Sequence, residues 1–290
     1  MTLEQLRIFV TAAELLSMTR AAERLHLSQP AVSAAIGALE ARYRISMFDR
    51  VGRRLELTEA GRLFLPQARA VLSSARNARQ VLDDLSGLSR GEVRIAASQT
   101  VASYWLPTRM AKFVSDAPQI QLRLSVGNTA QAAAVVLQGD ADLAVVEGDV
   151  SNEFLSAEVV GADRIGIYVA ANHPLAHRRL KPKDLEAAAW VMRDPGSGTR
   201  GHLQQQLAAT GVAVERLTVA LELPSNDAAL EAISGSQLVT AVSELAATCR
   251  LQTGAIRQLR WPMAAREFKM LRHRARTVSR AVAAFTASLL

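Results

Sequence analysis

Apolar positions near the start of the chain recur at helical spacing in three short bursts. Leu3, Leu6, Phe9, Val10 and Ala13 follow Thr2, which with Gln5 three residues on makes a capping-box start. A second helix is expected over Met18–Leu25, with Ser17 as its N-cap and Ala21, Ala22 and Leu25 on its inner face. After the step His26-Leu27, Ser28 caps a third helix. Pro30 falls in its first turn, where a missing N–H is harmless. Val32, Ile36 and Leu39 form the inner stripe of that helix. Two short helices joined by a tight step read as a helix-turn-helix. Ile45-Ser46-Met47-Phe48, the basic turn Arg50-Val51-Gly52-Arg53-Arg54 and Leu55-Glu56-Leu57 read as strand, turn and strand, a wing.

Thr58 is placed to cap a further helix. From Leu63 to Leu88, Leu65, Val71, Leu72, Ala75, Val81, Leu82 and Leu85 keep a helical period, and Pro66 predicts a kink or a restart. So long a stripe with nothing local to pack on predicts self-association. The pattern breaks at Ser86-Gly87-Leu88-Ser89-Arg90-Gly91, a domain boundary. Beyond it the periodicity becomes strand–helix alternation. Val93, Ile95 and Ala97 alternate, a helix carries Leu106, Met110, Phe113 and Val114, and Ile120, Leu122, Leu124 and Val126 alternate again. An Ala-rich helix over Thr129–Leu137 and the strand Leu143–Val146 complete a parallel βαβαβ unit. A second α/β set starts near Ile165–Val169 and runs through Trp190–Met192, Leu217–Leu223 and Leu238–Val242. The closing strand and helix, about Phe268–Leu290, fit either half by pattern. The expected division is a winged helix-turn-helix domain at 1–58, a linker and dimerisation helix at 59–90, and an α/β body at 91–290. Lobe I of that body takes 91–161 and 268–290, and lobe II takes 162–267.

The chain has 290 residues, 49% apolar and 21% charged, a globular composition. No run reads as a membrane span and no export signal is visible, so a soluble cytoplasmic protein is expected. Its single cysteine, Cys249, excludes an internal disulfide and any multi-cysteine metal site. Of 34 basic residues 30 are arginine, the lysines being Lys112, Lys181, Lys183 and Lys269. Residues 1–90 hold 13 Arg against 9 acids (+4), whereas residues 91–290 hold 21 basic against 18 acidic (+3). A small basic domain joined to a larger, nearly balanced one points to a polyanion as partner of the first.

The motif residues carry more. Ser17-Met18-Thr19-Arg20-Ala21-Ala22-Glu23-Arg24-Leu25, then Leu27-Ser28-Gln29-Pro30-Ala31-Val32-Ser33 and Ile36-x-x-Leu39-Glu40, resemble the N-terminal motif of LysR-type transcriptional regulators. Phe48-Asp49-Arg50 and Leu57-Thr58-Glu59-Ala60-Gly61 fit the same family's wing and linker start. The match is dense over about 60 residues, and the order of elements fits throughout. The resemblance implies an all-α winged helix-turn-helix with a linker helix, followed by an α/β, two-lobed, periplasmic-binding-protein-like effector domain. It also implies a homodimer or homotetramer on double-stranded promoter DNA, responsive to a small metabolite, with RNA polymerase as a further candidate partner.

The residues themselves agree. Short polar groups at the start of a recognition helix can reach base edges, and Gln29 and Ser33 lie there one turn apart, beside Ser28 and Pro30. Arg20, Arg50, Arg53 and Arg54 are placed to hold phosphates, although each taken alone also reads as a solvated surface arginine. Many members of the family carry a long polar residue where this chain has Ala34. Base readout is therefore expected to lean on Gln29 and on DNA shape.

For the effector, Ala97-Ser98-Gln99-Thr100 leaves a strand and opens a helix, an arrangement of N–H groups and hydroxyls that favours an anion. Thr129 follows the next strand in the same sense. Asp194-Pro195-Gly196-Ser197-Gly198-Thr199-Arg200 is a Gly-rich turn into a helix without the Gly-Lys-Ser/Thr ending of a nucleotide loop. Its Ser197, Gly198 and Thr199 are candidate donors, and Asn226 opens another helix. All of these also read as ordinary caps and turns. Together with the turn after Asp194, Ala97–Thr100 is similar to the branch holding sulfur-assimilation and carbon-fixation regulators, which implies a small oxyanion, phosphorylated sugar or nucleotide. No resident cofactor is expected, only a small anionic effector.

Histidines 26, 173, 177, 202 and 273 are scattered, and Pro174 spoils the spacing of His173 and His177 for a zinc helix. No nucleophile elbow, paired-carboxylate motif or dinucleotide fingerprint appears, so no enzyme is expected. A non-specific architectural DNA binder and a two-lobed α/β enzyme stand as alternatives.

Overall fold

The computed structural model describes residues 1–52, 54–85 and 91–290, with backbone alone at 77, 80, 81 and 83–85. It divides into two compact units, Met1–Leu88 with Gln138–Asp140, and Ser89–Leu137 with Ala141–Leu290.

In the first unit α1 (Leu3–Leu15) starts at Thr2, whose hydroxyl accepts from Gln5 N while Gln5 Oε1 accepts from Thr2 N. Ser17 and Ser28 cap α2 (Met18–Leu25) and α3 (Gln29–Tyr43), and α2 ends at His26 in the left-handed region, φ 55°. Leu6, Phe9, Val10, Leu39 and Met47 form one core cluster; Ile8, Ala12, Ala21, Ala22, Val32 and Ile36 form another. The wing is displaced from the expected register. Its strands are β1 (Phe48–Val51) and β2 (Arg54–Leu57), paired Phe48 to Leu57 and Val51 to Arg54. Ile45–Met47 are not a strand, because the Glu40 carboxylate takes the N–H groups of Met47 and Phe48, at 2.6 and 3.3 Å, and Met47 is buried. Arg50 and Arg54 consequently belong to strands rather than to the turn.

The following helix, α4 (Glu59–Leu85), runs through Pro66 as one element, so the helix does not restart there. Its first turns have a local partner after all. Ala68 is fully buried in the α1 cluster, with Phe64, Leu65 and Leu72 packed against it. Leu63, Val71 and Leu82 stay exposed. The boundary residues 86–90 lie outside the described residues.

The second unit carries β3 (Gly91–Ser98), α5 (Leu106–Asp116), β4 (Ile120–Gly127), α6 (Thr129–Gln138), β5 (Leu143–Glu147), β6 (Leu155–Ala170), α7 (Pro182–Glu186) and β7 (Ala189–Arg193). There follow α8 (Gly198–Ala209), β8 (Thr218–Leu223), α9 (Asn226–Ile233), β9 (Leu238–Ser243), α10 (Glu244–Gln252), β10 (Ile256–Gln258), β11 (Ala265–His273) and α11 (Arg280–Leu289). The strands join in a single 9-stranded sheet, ordered β4-β3-β5-β11-β6-β9-β7-β8, with β10 on β6. It is mixed. β3, β4 and β5 pair in parallel, as do β7, β8 and β9, while β6 and β11 run antiparallel between the two groups.

The expected lobe limits at 161/162 and 267/268 fall inside β6 and β11, not in loops. Hydrophobic pattern reveals a strand but not its passage from one core to the next. Val93, Ile95, Phe113 and Leu143 pack in lobe I with Ala281, Val282 and Phe285 of α11, so the C-terminal helix closes that lobe. Ile167, Trp190, Leu203 and Val239 centre lobe II. Gly161 sits where β6 passes Trp105; a Cβ there would meet the indole Nε1 at 2.9 Å.

Candidate DNA-reading face and ligand site

At the start of α3, Gln29 and Pro30 are exposed and Ser33 is half-buried. Gln29 Nε2 donates to Ser33 Oγ at 2.8 Å, so the two stand on one face and are at present satisfied by each other. Ser28 spends its hydroxyl on Ala31 N, at 3.3 Å, as a cap. Arg20, Arg50 and Arg54 are exposed; Arg53 lies outside the described residues. In the antiparallel register Arg50 faces Leu55 across the hairpin and Val51 faces Arg54. Neighbouring residues alternate sides, so the two arginines lie on opposite faces of the wing. Arg54 shares its face with the acidic pair Asp49 and Glu56.

In the second unit the sequence-derived candidates converge on the carboxyl ends of the strands, the edge at which ligands bind α/β sheets. Ser98 ends β3, Glu147 ends β5, Arg193 ends β7 and Ser243 ends β9, while Thr129 and Asn226 open the helices after β4 and β8. All six are buried. Between β3 and α5, Val101–Trp105 form a wide π-type turn.

Two polar clusters occupy this edge. In the first, Ser98 Oγ bonds Glu147 Oε2 and Thr129 Oγ1 donates to the Glu147 carbonyl at 2.7 Å. Arg266 of β11 forks onto Asp163 of β6, Nε to Oδ1 at 2.5 Å and Nη2 to Oδ2 at 2.8 Å, and its Nη1 donates to Thr199 Oγ1 at 3.0 Å. Ser243 Oγ donates to the same Asp163 at 2.6 Å. Gly198 allows the lobes to approach here, since a Cβ would stand 2.0 Å from the Glu147 carbonyl oxygen. The hydroxyls of Ser98, Thr129 and Thr199 are thus committed within the protein.

The second cluster joins Gln99 and Thr100 of lobe I to Arg193 and Asn226 of lobe II. Asn226 Nδ2 donates to Thr100 Oγ1 at 3.0 Å, and Arg193 Nη1 donates to Asn226 Oδ1 at 2.8 Å. Gln99 Oε1 accepts from Asn226 N at 3.1 Å and from Arg193 Nη1 at 3.4 Å. Arg193 Nη2 reaches the Pro224 carbonyl at 2.8 Å and Asp194 at 3.3 Å, but its buried Nε has no partner among the described residues. Burial pulls this guanidinium below its ordinary pKa, against the opposing pull of Asp194 and Glu147. Ser197 is buried at the head of α8, and its carbonyl accepts from Gly201 N.

Glu147, Asp163, Arg193, Ser243 and Arg266 were not among the candidates. The signal that finds the first, third and fourth is their position as last residue of a strand. Nothing local marks Asp163 or Arg266, which meet only through strand pairing.

Residues 3–62 match the family model for bacterial regulatory helix-turn-helix proteins of the lysR family, and residues 86–290 match that for the LysR substrate binding domain. The uncharacterized HTH-type transcriptional regulator YeiE of Escherichia coli (strain K12) is 32% identical over 286 residues, covering 98% of this chain and 95% of the relative. Full-length CbnR, solved with its target DNA, matches with TM-score 0.71 at 20% identity, over 100% of this chain and 99% of its own. The regulatory domain of CcmR from Synechocystis PCC6803, solved with 2-PG, matches with TM-score 0.62 at 24% identity, over 69% of this chain and 96% of its own. A reading head, a long helix and a two-lobed body with polar strand ends define a ligand-responsive DNA-binding regulator. The chain belongs to the LysR family of bacterial transcriptional regulators.

Proposed function

We propose that this regulator reads promoter DNA with Gln29 and Ser33 of α3, holds phosphates with Arg20, Arg50, Arg53 and Arg54, and takes a compact oxyanion between the lobes of its body. The working division is a reading domain at 1–58, a linker helix from 59 and an effector body from 91. The observation that carries the ligand reading is the half-matched Arg193, buried at the strand ends beside Gln99, Thr100 and Asn226. A buried guanidinium with an unused N–H is stabilised by an arriving anion. The exposed apolar side chains of α4, Leu63, Val71 and Leu82, supply a seam for a second copy of the chain.

The proposed mechanism is linkage. An anion that binds one arrangement of the lobes better than another shifts the balance between them, and with it the DNA contacts; a ligand indifferent to the arrangement shifts nothing. A thermal-shift screen of the full chain tests this with sulfite, sulfate, thiosulfate, phosphorylated sugars, NADPH, acetylserine-like amino acids and aromatic carboxylates. A ligand at 100 times its Kd adds about 2.7 kcal/mol, a rise of several degrees for a chain of this size. The shift should vanish in Thr100→Val while DNA binding persists; a full shift in that variant places the anion elsewhere. On the DNA side, Gln29→Ala should lose site preference yet keep salt-sensitive background binding, and unchanged preference would remove α3 from base readout.

A further inference from the structure

Gln99 belongs to lobe I, yet its side-chain oxygen lies against two donors of lobe II. It accepts the main-chain N–H of Asn226 at 3.1 Å and Arg193 Nη1 at 3.4 Å. Asn226 is the first residue of α9, so that N–H has no acceptor within its own helix. The same Arg193 is only 3% exposed, and its buried Nε has no partner among the described residues. A helix-start N–H and a guanidinium are the two protein groups best suited to an oxygen carrying negative charge. What they hold is a neutral carboxamide.

We propose that Asn226 N–H and Arg193 form an oxyanion subsite and that Gln99 Oε1 is its built-in stand-in, occupying the place of one ligand oxygen until an anion displaces it. This inference rests on the interlobe reading above and sharpens it. Gln99 then competes with the ligand instead of binding it. In the empty protein its bonds tie lobe I to lobe II. The ligand class is a compact sulfur or phosphorus oxyanion, or a carboxylate, presenting one oxygen to this pair. A charged oxygen makes the Asn226 N–H contact charge-assisted, roughly twice as strong as a neutral bond, and turns the Arg193 contact into an ion pair.

Two substitutions in the full-length chain test the proposal, with inorganic sulfate and inorganic phosphate as probes and the Arg193→Met chain correcting for the general stabilising effect of such salts. Gln99→Glu supplies the charged oxygen permanently. Its melting midpoint without added anion should rise by about 2–4 °C, and its sulfate-induced shift should disappear. Gln99→Met removes the stand-in. It should melt lower than the wild type alone but bind the probe anion about tenfold more tightly, with a correspondingly larger sulfate-induced shift. A Gln99→Glu chain that melts below the wild type overturns the proposal. So does a Gln99→Met chain that binds sulfate more weakly, because Gln99 would then be a ligand donor. If the wild type responds to neither probe, the ligand reading fails for these anions, while the Gln99→Glu melt, which needs no ligand, still decides the stand-in.

Discussion

Arg193 and Arg266 are both buried to 3% exposure in one sheet, and their surroundings differ. Arg266 meets both oxygens of Asp163 in a bidentate fork and gives its remaining direction to Thr199. Asp163 in turn is held by Ser243. Arg193 has two amide oxygens, a main-chain carbonyl and one oxygen of Asp194, whose other oxygen is taken by Asn128 at 2.7 Å. Its Nε has nothing. A guanidinium supplied with its own carboxylate belongs to the scaffold; one left partly matched is, on the proposal above, set for a charge from outside. Burial alone does not distinguish the two, but an inventory of acceptors does.

The sharpest break of this contrast is Arg266→Met. It leaves Asp163 buried without its cation, a loss of about 3–5 kcal/mol. The melting midpoint of the full chain should fall by roughly 10 °C. A fall of under 2 °C would erase the distinction. Arg193→Met should be milder, about 1–3 kcal/mol, because it strips a donor from buried Asn226 Oδ1 and the Pro224 carbonyl but leaves only the partly exposed Asp194 without its cation. Its signature is a lost anion response, read in the same melts; a cost equal to that of Arg266→Met would make Arg193 scaffold too.

The smallest effect concerns Tyr104, whose hydroxyl crosses between the lobes to Asp227 at 2.9 Å. Burial, then the bond to Asp227, raises this phenol above its ordinary pKa. The folded chain therefore keeps the proton where the unfolded chain, from about pH 10, loses it. The contribution is full below that pH and declines as pH rises. Tyr104→Phe should melt lower at neutral pH by about 0.5–1.5 kcal/mol and show a shallower alkaline decline. Burial raises Tyr168 as well, so some decline remains. An unchanged alkaline slope would assign the whole effect to other groups.

What was legible in the sequence follows from the reach of each interaction. Ser17 and Ser28 reveal helix starts because the bonds they accept come from three residues away. The wing register was not legible, because Glu40 fixes it from seven and eight residues upstream, a choice no turn propensity records. In the body, the turns at Ser98–Thr100, Ser197–Thr199 and Asn226 were visible as strand-to-helix junctions. Their charged companions were not. Arg193 meets Asn226 across 33 positions, Ser98 meets Glu147 across 49, and Arg266 meets Asp163 across 103. An isolated arginine in an apolar strand gives no local sign of which carboxylate, if any, waits for it.

β6 and β11 are the two strands that run through both lobes, laddered from Ala265–Arg164 to His273–Leu155. In engineering terms such a crossing is a flexure, not a pin. A two-ply ribbon of hydrogen-bonded strands yields when bent out of its plane and resists sliding within it, because sliding would break a whole row of N–H···O bonds. The register of this ladder shifts between Phe268 and Lys269, an irregularity of the kind that bends a strand locally. Bending this ribbon is the motion that breaks the fewest bonds, so a ligand gripped by both lobes would act on the angle between them.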